Sequence, residues 1–210
     1  MKCAVRHAAG ALAAVLAAAV PCGPPCAAQP PAVRGSLRDA LLDQFVGRWV
    51  LTGTIAGRPA THDVTAEWVL GRHYVRVHEV ARERGADGQP AYQADVYVAR
   101  DPKTREYTCV WLDNTPGGVD AQSLGRAPAA AASGDSIPFL FRYDDGSHMH
   151  TTFAYDRARD AWAWRLDAEP AGTPDVRKRD VRRPFARVTL TRATGPAAPA
   201  APPPAGSPPP

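Results

Sequence analysis

The sequence predicts an all-β protein: an antiparallel up-and-down barrel of about eight to ten strands with a short N-terminal helix. Apolar and polar residues alternate through most of the chain, which is the period of a half-buried strand. Short turn signals such as Asp87-Gly88 and Asp144-Asp145-Gly146 separate the alternating runs. Such short connections join antiparallel neighbours, since a parallel pair needs a crossover of about a dozen residues. Closure into a barrel would remove the exposed edges of this meander.

The elements follow from the positions of the apolar residues. A helix is expected over residues 36–45, with Ser36 as its N-cap, because leucines and Phe45 recur at helical spacing. Trp49 and Leu51 share one face of the first strand, and Val64 and Ala66 share one face of the second. Residues 127–132 are small and are expected to form a loop. Further strands are expected near residues 73–81, 92–99, 107–112, 137–143, 149–155, 162–166 and 188–190.

Composition divides the chain into four segments. Residues 1–28 have the charged start, apolar middle and small-residue end of a signal peptide, so we expect export to the periplasm or the medium. A Pro-rich spacer over 29–35 precedes the barrel domain at 36–193. Residues 194–210 are almost entirely Pro, Ala and Gly, and a segment of this kind buries too little apolar surface to fold. No other stretch is long and apolar enough to span a membrane.

Charge and cysteine content exclude some functions. Loss of Lys2 and Arg6 with the signal peptide lowers Lys+Arg from 25 to 23, against 21 Asp+Glu, so the net charge falls from +4 to +2. This charge is too small for a nucleic-acid partner, which requires clustered basic residues. The basic cluster at 177–183 is diluted by Asp175 and Asp180 and is expected to be a solvated loop. Only Cys109 remains after cleavage, and its strand context predicts a buried thiol.

Two short motifs carry a family resemblance. Gly47-Arg48-Trp49 opens the first strand, and the last strand ends at Arg192. This pattern resembles the lipocalin-like, or calycin, barrels, and residues 68–74 and 97–113 resemble bacterial lipocalin-like domains of unknown function. The resemblance implies that Arg192 lies over the indole of Trp49 near the closed end of the barrel. Gly47, Trp49 and Arg192 would then have a structural role in closing the barrel.

The predicted function is the binding of a small, largely apolar ligand, such as a fatty acid, inside the barrel. A barrel of this strand number can hold one small molecule. The third strand offers two alternative inward faces. Tyr74, Arg76 and His78 would form a polar anchor, in which Arg76 holds a carboxylate. The other face carries Val75 and Val77, which favour burial. Aromatic residues expected to line the interior are Trp68, Trp111, Phe141, Trp162 and Trp164.

Other functions have weaker support. His148 and His150 share a strand face and could bind a metal, but their face is expected to point to solvent, so no metal site is predicted. No catalytic motif is present, and neither catalytic residues nor a cofactor are predicted. An isomerase or hydrolase would require two titratable groups that converge in one cavity. A haem-binding barrel and a packed barrel that presents its Pro-rich tail to a partner are further alternatives.

Overall fold

Ten antiparallel strands form one closed barrel in a computed structural model of the chain, which describes residues 39–115, 123–172 and 181–195. Around the barrel the strand order is β1-β10-β9-β8-β7-β6-β5-β4-β3-β2, so each strand pairs with its neighbours in sequence and β1 closes on β10. The predicted antiparallel up-and-down barrel is therefore confirmed. The strands are β1 (Gly47–Ile55), β2 (Arg58–Val69), β3 (Tyr74–Ala81), β4 (Gln93–Arg100), β5 (Tyr107–Asp113), β6 (Leu124–Ala127), β7 (Ser136–Arg142), β8 (His148–Asp156), β9 (Ala161–Glu169) and β10 (Arg183–Arg192).

The predicted N-terminal helix is much shorter in the structure than the sequence indicates. Over residues 39–45, the part of this segment that the structure describes, the only helical element is the 3-10 turn Leu42–Phe45. A second 3-10 turn, Leu70–Arg72, lies between β2 and β3. Ser36 lies outside the described residues. Just before the turn, Asp39 Oδ1 accepts hydrogen bonds from the backbone N–H groups of Leu41 and Leu42, at 2.9 and 3.0 Å.

The first 3-10 turn closes one end of the barrel. The Phe45 side chain is fully buried, and its ring stacks on the indole of Trp162 with the two ring centroids 3.7 Å apart. The Phe45 ring also contacts Phe153 and Trp164 edge to face. Apolar packing at this end places any open volume toward the opposite end, where the hairpin between β1 and β2 turns.

Strand β6 was absent from the sequence prediction. It contains only four residues, too few to show an alternating pattern, and it pairs with β5 on one side and with β7 on the other. Gly125 in this strand is required by packing, because a Cβ atom there would lie 2.5 Å from the Phe141 ring. The expected loop at 127–132 therefore begins where β6 ends.

Several predicted segments lie wholly or mainly outside the described residues. These are the signal peptide, the Pro-rich spacer, residues 196–210 of the tail and residues 177–180 of the basic cluster. Among the residues that are described, no helix has the length and apolar character needed to cross a bilayer.

Candidate functional site

The closed end of the barrel is held by Trp49, Arg192 and Gly47. The guanidinium carbon of Arg192 lies 3.7 Å from the centroid of the Trp49 ring, in a cation–π arrangement. Arg192 Nη1 also donates a 2.7 Å hydrogen bond to the carbonyl oxygen of Val46. Gly47 has a φ of +131°, and a Cβ atom there would lie 2.6 Å from Arg192 Nη1. The structure thus places these three residues together, as the resemblance implies.

The opposite end of the barrel contains a cavity of about 580 Å³. Leu51 and Ile55 of β1 and Phe185 and Val188 of β10 contribute to its wall. Aliphatic and aromatic side chains make up most of the lining. The other lining residues are Ala56, Arg58, Pro59, Ala60, His62, Glu79, Ala81, Glu83, Ala91, Tyr92, Trp111, Asp113, Thr115, Ser123, Phe141, Tyr143, Met149, Thr151, Trp164, Leu166 and Ala186.

Of the five aromatic residues predicted to line the interior, three line the cavity. Trp111, Phe141 and Trp164 are part of the cavity wall. Trp162 instead packs on the 3-10 turn at the closed end. Trp68 donates a 2.9 Å hydrogen bond from Nε1 to Oδ1 of Asp43. Inward-facing aromatic residues therefore divide between the packed end and the hollow end, and alternation alone cannot assign them to either.

The polar anchor predicted on the third strand lies on the outside of the barrel. Val75 and Val77 are fully buried, so the alternate residues Tyr74, Arg76 and His78 face outward. None of these three lines the cavity. The prediction that Tyr74, Arg76 and His78 anchor a ligand inside the barrel is therefore corrected. Burial of Val75 and Val77 fixes the orientation of β3 and places the three polar residues on the outer face.

Arg76 and His78 have a different partner on the outer surface. Arg76 donates to both carboxylate oxygens of Asp95, at 2.8 and 3.1 Å, and His78 Nδ1 lies 2.9 Å from Asp95 Oδ1. Partial burial would raise the pKa of Asp95, but the hydrogen bonds from Arg76 and His78 outweigh it and hold this pKa below its ordinary value. The cluster links β3 to β4.

His148 and His150 also lie outside the cavity, as expected. His150 Nε2 is 2.6 Å from Oε2 of Glu169, and His148 Nδ1 is 3.6 Å from Oε1 of the same carboxylate. The hydrogen bond from His150 lowers the pKa of Glu169. The part of the chain that the structure describes contains no group of three or more His, Cys, Asp or Glu side chains placed to hold a metal ion.

A buried pair that the sequence prediction missed, His62 and Glu79, lines the cavity. His62 is 6% exposed and Glu79 is 2% exposed. The two residues face inward from the neighbouring strands β2 and β3, and Nδ1 of His62 forms a short hydrogen bond with Oε1 of Glu79. The sequence held a signal for each position: His62 shares the face of Val64, and Glu79 shares the face of Val77.

Tyr92 and Trp111 extend this polar region along the wall. The Tyr92 and His62 rings are stacked, with their centroids 5.7 Å apart. Trp111 Nε1 donates a 2.9 Å hydrogen bond to the Tyr92 hydroxyl oxygen, and that hydroxyl donates to Oδ2 of Asp113 at 3.3 Å. Burial raises the pKa of Tyr92, so the phenol remains protonated across the neutral range.

Two buried polar atoms of cavity residues lack a hydrogen-bond partner among the described residues. They are Oε2 of Glu79 and Nε1 of Trp164. Thus one acceptor and one donor belong to an otherwise largely apolar wall. A buried polar group without a partner costs free energy, and such groups in folded proteins call for a specific explanation.

The fold and the site together define a closed ten-strand barrel that is packed at one end and hollow at the other. The architecture is compatible with a calycin-like fold. No protein-family model matches the chain, and no curated protein shows a significant match to it. The resemblance to lipocalin-like domains therefore rests on the barrel and on the contact between Trp49 and Arg192.

Proposed function

We propose that this protein binds a small, largely apolar ligand in the interior of its barrel. The observation that carries the proposal is the cavity of about 580 Å³ at one end of the barrel. Ligand sites in proteins are typically concave, mostly apolar, about 300–1,000 Å³ in volume and supplied with a few polar groups. The His62–Glu79 pair and the indole of Trp164 are polar groups of this kind.

The hollow end of the barrel favours this function over a purely structural one. A packed barrel would fill its interior with side chains, as this barrel does around Phe45 and Trp162. At the other end, small residues such as Ala60, Ala81 and Ala186 line the wall where larger ones would fill the space. Interaction through the Pro-rich tail is a separate proposal, because residues 196–210 lie outside the described residues.

Native mass spectrometry of the protein purified from its own host tests ligand binding directly. We expect a bound small molecule at one per barrel. Ala60→Trp places a large side chain in the cavity and should abolish the bound mass. Thr61→Trp, on the outer face of the same strand, is the matched control and should retain it. An unmodified protein that carries no molecule and takes up no neutral apolar dye would contradict the proposal.

A second candidate function is catalysis of proton transfer, and the His62–Glu79 pair is the observation that favours it. The two titratable groups converge in one cavity, which is the geometric condition for an isomerase or hydrolase on this barrel. If Nδ1–H of His62 donates to Glu79, Nε2 is left as a proton acceptor. An imidazole oriented by a carboxylate is a common general base.

Deuterium incorporation distinguishes catalysis from simple binding. The co-purified molecule is incubated with the protein in D2O, and its mass is followed over time. Catalysis predicts deuterium at carbon, lost in His62→Gln and kept in His78→Gln, which makes the same change on the outer face. An unchanged mass of the molecule in the unmodified protein would exclude proton transfer at carbon by the pair.

We also infer that the protein is exported, on the basis of the charged and apolar character of residues 1–28. N-terminal sequencing of the protein recovered outside the cytoplasm tests this inference. A sequence beginning at Gln29 is expected. Recovery of the full chain, starting at Met1, from the cytoplasm alone would contradict export and leave the proposal for the cavity unaffected.

A further inference from the structure

The carboxylate of Glu79 is buried in the cavity wall, and only one of its two oxygens has a hydrogen-bond partner among the described residues. Oε1 is paired with His62, whereas Oε2 has no partner among the described residues. A carboxylate has no hydrogen to donate, so Oε2 can be satisfied only by a donor. A donor that enters the cavity beside Glu79 would recover the free energy lost by burying this oxygen.

The charges around the cavity disfavour an anionic ligand. Glu79, Glu83 and Asp113 line it, and Arg58 is the one Arg or Lys side chain among its described lining residues. Arg58 already pairs with Glu83 at 3.2 Å, and both side chains are largely exposed to solvent. The described wall therefore has no unpaired Arg or Lys side chain that could bind a ligand carboxylate. A ligand carboxylate near Glu79 would be repelled by the like charge.

We propose that the ligand presents an uncharged hydrogen-bond donor, a hydroxyl or amide N–H group, to Glu79. This inference rests on the proposed function and specifies the class of ligand: an apolar molecule with a neutral donor at its head. It replaces the fatty acid expected from the sequence, because the arginine chosen to hold the carboxylate, Arg76, lies outside the barrel and is paired with Asp95.

The ligand contacts would divide along the wall. The donor would lie at Glu79, and the apolar body would lie against Trp164, Phe141 and Leu166. Trp164 Nε1 has no partner among the described residues and can donate a hydrogen bond to an oxygen of the same molecule. A hydroxyl group both donates and accepts, so an alcohol can donate to Glu79 Oε2 or accept from Trp164 Nε1.

Displacement of the neutral dye N-phenyl-1-naphthylamine from the full chain tests the inference. Three competitors share a twelve-carbon chain: dodecanol donates, methyl dodecanoate only accepts, and dodecanoate is anionic in mildly alkaline buffer. We expect dodecanol to bind at least about tenfold more tightly than dodecanoate, with the ester between them, as a hydrogen bond to a charged group would give. Equal affinities, or tightest binding by dodecanoate, would overturn the inference.

Glu79→Gln and Glu67→Gln form a matched pair of variants. The first converts the buried carboxylate to an amide, and the second makes the same change on the exposed outer face of β2. The preference for dodecanol over the ester should shrink to less than about threefold in Glu79→Gln and stay unchanged in Glu67→Gln. An unchanged preference in a folded Glu79→Gln would count against the role of Glu79.

The relative affinities of the three competitors for the unmodified protein test the inference even if Glu79→Gln does not fold. Failure of this inference and failure of the proposed function give different results. If the dye itself does not bind, the proposal of a ligand cavity fails. If the dye binds and all three competitors displace it equally, the cavity binds ligands without selecting the head group, and only the present inference fails.

Discussion

Arg192 and Trp49 are direct partners in the pairing of β10 with β1, and the guanidinium of the first lies over the indole of the second at 3.7 Å. Backbone register and side-chain contact thus join the first and last strands at the same point. Trp49 Nε1 also donates a 2.6 Å hydrogen bond to the carbonyl oxygen of Phe45. This one contact therefore fixes both the junction between β1 and β10 and the 3-10 turn that closes the end of the barrel.

Replacement of Arg192 by Ala should lower the free energy of unfolding by about 2 kcal/mol. A cation–π contact contributes about 0.5–2 kcal/mol, and the hydrogen bond to the Val46 carbonyl adds about 1 kcal/mol. Urea titration followed by tryptophan fluorescence measures the change. Arg58→Ala, at a side chain that is 77% exposed, is the control and should stay within about 0.5 kcal/mol of the unmodified protein. Equal losses in the two variants would refute the structural role of Arg192.

Gly47→Ala should destabilise the protein through two effects that can be separated. The φ of +131° strains any residue with a Cβ atom, at about 1–3 kcal/mol, and the new Cβ atom would clash with Nη1 of Arg192. In a background that already carries Arg192→Ala, only the backbone strain remains. A double-mutant cycle should therefore show a smaller cost of Gly47→Ala in that background. If the effects of Gly47→Ala and Arg192→Ala on the free energy of unfolding are additive, the contact between the new Cβ atom and Arg192 Nη1 has no energetic cost.

Acidification should weaken the junction through Asp160. The hydrogen bond from Arg192 is the largest cause of the lowered pKa of Asp160, with a further contribution from the Tyr155 hydroxyl. Because the pKa is lower in the folded protein, the contribution to stability is present above the ordinary value of 3.8 and is lost as the pH falls below it. Asp160→Asn removes this contribution, so the variant should lose less stability on acidification than the unmodified protein does.

Unfolding free energies measured above and below pH 3.8 for the two proteins provide the test. The curves should differ near neutrality and converge as the pH falls. Asp160 has a positive φ of 46°, which Asn tolerates, so the substitution should leave the turn intact. Curves that remain parallel throughout would mean that the Arg192–Asp160 interaction does not contribute to stability.

The thiol of Cys109 should not react in the folded protein. Cys109 is fully buried, and this burial raises the pKa of the thiol, so the reactive thiolate is scarce. In a chain whose Cys3, Cys22 and Cys26 are replaced by Ser, Ellman's reagent should label no thiol until urea is added. Thr104→Cys, on an exposed turn, should react at once. Prompt labelling of Cys109 would contradict the buried position.

The barrel could be predicted from the sequence because its strands alternate clearly and its turns are short. Strand β6 could not, since four residues that include Gly125 give no periodic signal. The helix at 36–45 was overestimated because leucine spacing does not distinguish a short 3-10 turn from an α-helix. Local patterns therefore identified the strands of the closed sheet and missed its shortest elements.

The cavity was harder to predict than the fold. Its aromatic residues were identified, but alternation does not reveal which inward residues lie at the packed end and which at the hollow end. The His62–Glu79 pair depends on the register between β2 and β3, which sets Val64 opposite Glu79 and brings His62 alongside. Arg76 was predicted to hold a ligand because a guanidinium pairs well with a carboxylate. Burial of Val75 and Val77 instead turns Arg76 to the outer face of β3.

The pairing of β1 with β10 has a consequence for the order of folding events. Every other pair of strands joins neighbours in sequence, whereas the hydrogen bond between Val46 and Arg192 joins residues 146 positions apart. Hairpins form early because their loops are short, and the distant pair carries the largest loop-closure entropy. Leu51 and Val188 lie on these two strands and line the cavity. During refolding, the ability to hold a ligand should therefore arise last, when the first and last strands meet.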